Sequence, residues 1–258
     1  MNVTICCFSP TKTTLNNLKA VAEGIARKYK VIDITLPASR EGEIPEFGED
    51  DLVLFGAPCY GGRLPLTASE WFEKLSGNGA SCVVASVYGN RAFDDQLAEM
   101  EDLFTQRGFK VIGAAAMLGE HSMSKKIAPG RPNRCDLEKA RTFGKKLQDK
   151  LEISGAKPLE KCVIPGNRPY KERGAAANNP GPATTESCVG CMLCAGLCPG
   201  GAIDAADPKK VAGEKCIRCN ACVKSCPMGA KYFENGAAAE KFMLEKFGAP
   251  DREPQFWV

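Results

Sequence analysis

The chain has 258 residues, enough for one large domain or for two, and its composition of 44% hydrophobic and 25% charged residues is typical of soluble globular proteins. No stretch reaches the length of a membrane span, and the apolar start lacks a basic leader and a cleavage site, so we expect a cytoplasmic protein without a membrane-spanning segment. The formal charge of +3 comes without a basic, aromatic-interleaved stripe, so we expect no nucleic-acid partner.

Strands and helices alternate over residues 1–151. Five short apolar stretches, rich in β-branched residues, predict strands at 3–8, 31–34, 52–56, 82–87 and 111–116. Apolar residues repeat every three or four positions between them and predict helices at 13–29, 66–75, 93–106 and 136–151, the last N-capped by Asp136. This alternation predicts a doubly wound α/β domain whose five-stranded parallel sheet has the order 2-1-3-4-5. A ligand should bind at the carboxyl ends of strands 1, 3 and 4.

The sequence changes character after residue 151. Residues 152–182 are rich in proline, glycine and asparagine and lack periodicity, which predicts an extended linker. Residues 183–235 contain eight closely spaced cysteines and predict a second, smaller domain. The tail, residues 236–258, contains a short helical stretch at 238–247, and we expect it to pack on one of the two domains.

Eight cysteines form two quartets with the spacing C-x2-C-x2-C-x3-C-P. The first quartet is Cys188, Cys191, Cys194 and Cys198, and the second quartet is Cys216, Cys219, Cys222 and Cys226. An offset of 28 residues superimposes the quartets and the prolines that follow them, which is an internal repeat. This spacing predicts 4Fe-4S clusters rather than disulfides. Zinc is the alternative, but a zinc site needs neither a third cysteine two residues on nor a cysteine–proline ending.

Three loops that parallel strands bring to one edge of the sheet contain polar and aromatic residues. These are Ser9, Thr11, Lys12, Thr13 and Thr14 after strand 1, Pro58, Cys59, Tyr60, Gly61 and Gly62 after strand 3, and Tyr88, Gly89, Asn90 and Arg91 after strand 4. The first loop opens a helix, whose free N–H groups and dipole favour a phosphate. The other two combine aromatic rings with glycines that let backbone amides approach a flat ring. Each loop alone also fits ordinary turn or capping chemistry.

These residues carry a resemblance to a known family. The pattern Ser9-x-Thr11-x-x-Thr14 resembles the flavodoxin phosphate loop, and segments 58–65 and 88–91 resemble the loops that enclose the flavin ring of FMN. Together with the eight cysteines, the chain resembles flavodoxin-ferredoxin fusion proteins over residues 1–150 and 183–233, and also in the linker segment 165–170. Many flavodoxins have glycine at the position of Lys12, whose charge is suited to neutralise a phosphate.

The resemblance implies a flavodoxin-like FMN domain followed by a small α+β domain of the bacterial ferredoxin type with two 4Fe-4S clusters. It also implies that the quartets exchange their last ligand. The implied ligand sets are Cys188, Cys191 and Cys194 with Cys226, and Cys216, Cys219 and Cys222 with Cys198. Two oxidised clusters, each with four thiolates, add roughly −4 to the charge, so the holoprotein is near neutral.

The other cysteines and the single histidine give weaker signals. The cysteines on predicted strands are interpreted as small core residues: Cys6, Cys7 and Cys82. Cys59 either packs in its loop or tunes the flavin. His121 follows strand 5, and we interpret it as a structural residue, with a proton donor at the flavin edge as the alternative.

We therefore expect electron transfer between two 4Fe-4S clusters and FMN, which would link low-potential one-electron carriers to a flavin-dependent redox reaction in an anaerobic setting. The partners would be redox proteins, with a small-molecule substrate at the flavin if the chain is an enzyme, and the chain could form a homodimer. Two alternatives stay open. One is a carrier between proteins with no substrate of its own, and the other is a redox sensor whose flavin site is empty.

Overall fold

The computed structural model describes residues 1–154, 162–174 and 180–258, and it contains one large sheet and one small sheet. The strands are β1 (Asn2–Cys7), β2 (Lys30–Asp33), β3 (Asp51–Pro58), β4 (Ser81–Tyr88), β5 (Lys110–Leu118), β6 (Ala183–Thr184), β7 (Lys231–Tyr232) and β8 (Gln255–Trp257). The first five pair in parallel in the order β2-β1-β3-β4-β5, so the predicted doubly wound, flavodoxin-like order is confirmed. β8 adds a sixth, antiparallel strand beside β5.

Helices cover both faces of the large sheet. They are α1 (Thr13–Ile25), α2 (Leu66–Phe72), α3 (Gln96–Gln106) and α4 (Arg134–Ser154), followed by the shorter α5 (Leu193–Gly196) and α6 (Ala221–Ser225), and by α7 (Gly236–Phe247). Helices α1 and α4 bury one apolar cluster against the sheet, and α2 and α3 bury the other. In the second cluster Phe55 stacks on Phe104 with ring centroids 3.7 Å apart. Between α1 and α4, a Cβ at Gly24 would lie 2.2 Å from the Arg141 carbonyl oxygen, so this close crossing requires glycine.

Several helix boundaries differ from the sequence predictions. Helix α1 ends at Ile25, where Ala26 takes an extended backbone, and α3 begins at Gln96 rather than at residue 93. The prediction that Asp136 is the N-cap of α4 is wrong. Asn133 Oδ1 accepts a hydrogen bond from Asp136 N at 3.0 Å, and Asp136 Oδ2 accepts one from Asn133 N at 2.8 Å. The two side chains form a reciprocal capping box in which Asn133 is the cap.

The cysteine module, residues 183–235, is small. Strands β6 and β7 pair antiparallel, and α5 and α6 each contain only one or two turns. Its buried apolar cluster consists of Cys194, Ile203 and Cys222. Because two of these three residues belong to the quartets, the stability of the module depends on the interactions that hold the cysteine side chains in place.

The linker and the tail both pack on the large sheet's domain. Arg168 of the segment 162–174 pairs with Glu101 at 2.7 Å and with Asp102 at 2.8 Å on α3. Residues 155–161 and 175–179 of the predicted linker lie outside the described residues. In the tail, Phe256 stacks on Phe143 of α4 with centroids 4.8 Å apart. Among the described helices, none has the length and apolar character needed to cross a membrane.

Candidate functional site

The eight cysteines line two separate cavities. The distal cavity is lined by Cys188, Cys191, Cys194 and Cys226. The proximal cavity is lined by Cys198, Cys216, Cys219 and Cys222. Each cavity therefore contains three cysteines of one quartet and the last cysteine of the other, which is the grouping that ligand exchange requires. Within the described residues, no three His, Cys, Asp or Glu side chains are close enough to bind a single metal ion. The four cysteines of each set are therefore spaced too widely to bind one ion together.

The internal repeat is visible in the backbone around both cavities. Ala202 N donates to Cys198 Sγ at 3.2 Å, and 28 residues later Ala230 N donates to Cys226 Sγ at the same distance. Helices α5 and α6 both begin after a residue in the left-handed region, with φ near 60°. The two halves of the module thus present their last cysteines in equivalent ways, and N–H···S hydrogen bonds of this kind stabilise thiolate sulfur.

The proximal cavity faces the carboxyl ends of the large sheet's strands. Ile217, which lines it, packs against the apolar cluster under α2 and α3. Arg40 Nη2 donates to the Pro199 carbonyl oxygen at 2.7 Å, and Lys224 Nζ lies 2.6 Å from Glu120 Oε1. Burial, and then the nearby Cys219, raise the pKa of Tyr60 well above its usual value. The module is therefore docked on the sheet edge where the sequence predicts a ligand.

The loop between β1 and α1 has the features of an anion site. Ser9 Oγ accepts a hydrogen bond from Leu15 N, in the first turn of α1, at 3.0 Å. Lys12, the N-cap residue, adopts φ 62° and pairs with Asp33 at 2.9 Å. Thr11 and Thr13 share a hydrogen bond of 3.2 Å. Among the described residues, Thr14 Oγ1 is the buried side-chain polar atom with no hydrogen-bond partner. Because buried hydroxyls normally form hydrogen bonds, this atom fits the role of a donor to an anion bound at the loop.

The loop after β3 is a tight turn fixed from both sides. Tyr60 and Arg63 exchange backbone hydrogen bonds of 3.1 and 3.2 Å around Gly61 and Gly62, which both have positive φ. A Cβ at Gly62 would lie 2.2 Å from Asp94 Oδ2, so glycine is required there. Burial raises the pKa of Cys59, next to Pro58, to about 12. The thiol is therefore protonated near neutral pH and is a poor nucleophile, which favours the packing interpretation.

The loop after β4 is engaged by the tail. Asn90 Nδ2 donates to the carbonyl oxygens of Phe247 and Pro250 at 3.0 and 3.2 Å, and Asn90 Oδ1 accepts from Arg252 N at 2.8 Å. Arg91 pairs with Asp94 and lies over the Phe247 ring at 5.9 Å. The structure thus gives the polar atoms of the Asn90 side chain a tail-docking role that sequence reasoning missed.

Tyr88, Gly89 and His121 form the remaining part of this edge. The Tyr88 ring is buried and packs edge-on against Phe93 at 5.6 Å. A Cβ at Gly89 would lie 2.6 Å from His121 Cδ2. His121 Nδ1 accepts from Met123 N at 3.2 Å, and burial, then Lys224, lower the histidine's pKa below its usual value. A neutral imidazole that accepts a backbone hydrogen bond fits the structural interpretation of His121.

A buried charge network that sequence reasoning missed holds the loop after β3 to α3 and the linker. Glu99 accepts hydrogen bonds from Arg63 Nε at 2.8 Å, from Leu64 N at 2.9 Å and from Arg173 Nη2 at 2.6 Å. The side chains of Arg63 and Glu99 are only 13% and 10% exposed. No local pattern indicates this network, since Arg173 lies 74 residues from Glu99 in the chain.

The C-terminal part of the chain matches two protein-family models. Residues 208–246 match the 4Fe-4S dicluster domain, and residues 184–204 match the 4Fe-4S binding domain. The C-terminal module is a 4Fe-4S ferredoxin-type domain. Together with the flavodoxin-like strand order of residues 1–118, this domain is consistent with a flavodoxin-ferredoxin fusion.

The N-terminal part is similar to solved flavoproteins at low identity. An archaeal flavodoxin is 13% identical, covering 59% of this chain and 99% of its own, with a TM-score of 0.39. A Fusobacterium nucleatum flavodoxin bound to flavin mononucleotide is 13% identical, covering 58% and 97%, with a TM-score of 0.39. The flavodiiron core Flv1 of Synechocystis sp. PCC6803 is 16% identical, with a TM-score of 0.41. That match covers 60% of this chain but only 36% of the Flv1 chain, about a third of its length. No curated protein sequence matches the chain.

Proposed function

We propose that the chain is an electron-transfer protein that carries two 4Fe-4S clusters and FMN. The observation that carries the proposal is the interleaving of the quartets, because a cavity completed by the other quartet's last cysteine is the arrangement of two-cluster ferredoxins. The proximal cavity adjoins the sheet edge at which doubly wound folds bind ligands, and this supports transfer within one chain.

The chain's residues divide the work between cofactors. Cys188, Cys191, Cys194 and Cys226 would hold one cluster, and Cys198, Cys216, Cys219 and Cys222 the other. The phosphate of FMN would lie at Ser9, Thr11, Lys12, Thr13 and Thr14, with its ring beside Pro58, Cys59, Tyr60, Gly61 and Gly62. FMN accepts one or two electrons and a cluster accepts one, so the combination can pair or separate electrons. The protein supplies hydrogen bonds, burial and short distances, which set the potentials and the route.

The organisation proposed for the rest of the protein follows the same division. Residues 1–151 would be the FMN domain, 152–182 the linker, 183–235 the cluster domain, and 236–258 a tail that covers the loop after β4 through Asn90. Redox proteins would be the partners. Reduced holoprotein that is reoxidised only by carrier proteins would indicate a carrier, whereas reoxidation by a small molecule would indicate an enzyme.

Replacing Thr14 by valine should weaken FMN binding by about tenfold or more, because a hydrogen bond to a charged group is worth roughly 1.5–3 kcal/mol. The same change should leave the flavin-free protein equally or more stable, since it removes a buried hydroxyl without a partner. Quenching of flavin fluorescence gives the affinity, and denaturant unfolding gives the stability. Thr142→Val, on the exposed face of α4, is the matched control and should change neither. Unchanged FMN affinity in Thr14→Val would remove the phosphate site from the proposal.

The function as a whole is tested by anaerobic reconstitution. We expect about eight iron and eight sulfide per chain, together with one FMN. Protein that holds both clusters and refuses FMN would favour the second candidate, a redox module without flavin. One observation supports that candidate: the tail occupies the polar atoms of Asn90 at the edge where a flavin ring is expected.

A further inference from the structure

The two cavities differ in charge at one equivalent position of the repeat. The offset of 28 residues aligns Ile203 with Lys231. Ile203 lines the proximal cavity and Lys231 lines the distal cavity. Both side chains are buried, with 6% and 3% exposure. A buried ammonium is costly to desolvate, so its occurrence in one half of a symmetric module needs a compensating interaction.

The hydrogen-bond partners of Lys231 do not neutralise its charge. Its Nζ donates to Thr184 Oγ1 at 2.8 Å and to the carbonyl oxygen of Pro208. Both oxygens are neutral, and they fix the ammonium beside the distal cavity. The positive charge is therefore available to act on the contents of that cavity through a medium of low dielectric constant.

The two cavities have matching backbone hydrogen bonds to sulfur, and the cationic side chains near the proximal cavity interact with other partners. The N–H···S hydrogen bonds to Cys198 and Cys226 have equal length. Near the proximal cavity, Lys224 is paired with Glu120 at 2.6 Å, and the Arg218 guanidinium lies over the Phe233 ring. The buried charge of Lys231 is therefore the main electrostatic difference between the two halves.

We propose that Lys231 raises the reduction potential of a 4Fe-4S cluster in the distal cavity above that of the cluster in the proximal cavity. The inference rests on the proposed occupancy of both cavities. One electron from a one-electron carrier protein, or from dithionite in the test, converts a cluster core from a dication to a monocation without a proton. A fixed positive charge stabilises the more negative product. The first electron that enters the module therefore resides at the distal site.

The test is a redox titration of the anaerobically reconstituted full chain, followed by electron paramagnetic resonance. In Lys231→Met the higher of the two midpoint potentials should fall so that the equilibrium constant for one-electron reduction drops about tenfold or more, which is about 59 mV or more. The lower potential should move less. Lys231→Arg should keep the original separation, and Lys209→Met, at an exposed lysine paired with Glu186, should leave both potentials in place.

Two equal potentials in the wild type, unchanged potentials in Lys231→Met, or equal falls of both would each overturn the inference. If Lys231→Met loses a cluster, Lys231→Gln, which retains a hydrogen-bond donor, is titrated with the same expected and contradicting results. Paramagnetically shifted NMR signals of the cysteine β-protons identify the cluster that is reduced first, which should be the distal one. Iron and sulfide analysis comes first: fewer than two clusters in the wild type contradicts the proposed function, whereas two clusters with unaltered potentials contradicts only the role of Lys231.

Discussion

The double variant Cys188→Ser/Cys226→Ser should retain one 4Fe-4S cluster, whereas Cys216→Ser/Cys226→Ser should retain none. Cys188 and Cys226 both line the distal cavity, so their joint replacement leaves the proximal set of four cysteines complete. Cys216 and Cys226 line different cavities, so the second variant removes a ligand from each. Reconstituted chains should therefore contain about four iron in the first variant and far fewer in the second, against about eight in the wild type.

Each double variant is the control for the other, because both remove two cysteines and share Cys226→Ser. If each quartet bound its own cluster, Cys216→Ser/Cys226→Ser would be the variant that keeps about four iron, and the outcomes would reverse. Iron and sulfide analysis with electron paramagnetic resonance of the reduced protein decides between the two arrangements. Equal iron content in the two variants would contradict the separation of the cavities.

Loss of both clusters should also unfold the cysteine module. The apolar core of the module, made of Cys194, Ile203 and Cys222, is too small to offset the conformational entropy lost when about fifty residues fold. Removal of iron should therefore expose residues 183–235 to protease. The large sheet has its own apolar clusters on both faces and should stay folded.

The fold of the first 118 residues could be predicted because its signals are local. Strands β3 and β4, for example, are short apolar runs between turn residues, and both are buried as the pattern requires. The N-cap of α4 was misplaced for a local reason as well. Both Asn133 and Asp136 are good capping residues, and only the reciprocal hydrogen bonds identify which of them begins the helix.

The candidate site could be predicted only where a repeat or a motif marks it. The spacing of the quartets predicts how the cysteines are grouped, because the pattern carries the chemistry of its cofactor. The contact of Asn90 with the tail could not be predicted, since its partner Arg252 lies 162 residues away. Lys231 also gives no signal as a single residue. It becomes informative when the repeat aligns it with Ile203 and the structure shows that both are buried.

Glu99 holds together the loop after β3, α3 and the linker, and its replacement should strongly lower the stability of the protein. Its carboxylate is shared by Arg63, Arg173 and the backbone N–H of Leu64. Arg63 Nη1 also donates to the Lys171 carbonyl oxygen, and the Arg63 guanidinium lies over the Tyr170 ring at 4.8 Å. The linker thus depends on the same ion pair as the Gly61–Gly62 turn.

Glu99→Ala should lower the free energy of unfolding by about 3–5 kcal/mol, because it leaves the nearly buried Arg63 without its counter-ion. Glu99→Gln should cost less, since an amide oxygen can still accept from Leu64 N. Glu73→Ala is the matched control: Glu73 is exposed, its side chain accepts a hydrogen bond from Ser69, and its replacement should cost less than about 0.5 kcal/mol. Urea unfolding gives the free energies, and limited proteolysis should show earlier cleavage within residues 162–174 in Glu99→Ala. A cost equal to that of Glu73→Ala would mean that the buried pair contributes nothing, and that linker packing alone orders the turn.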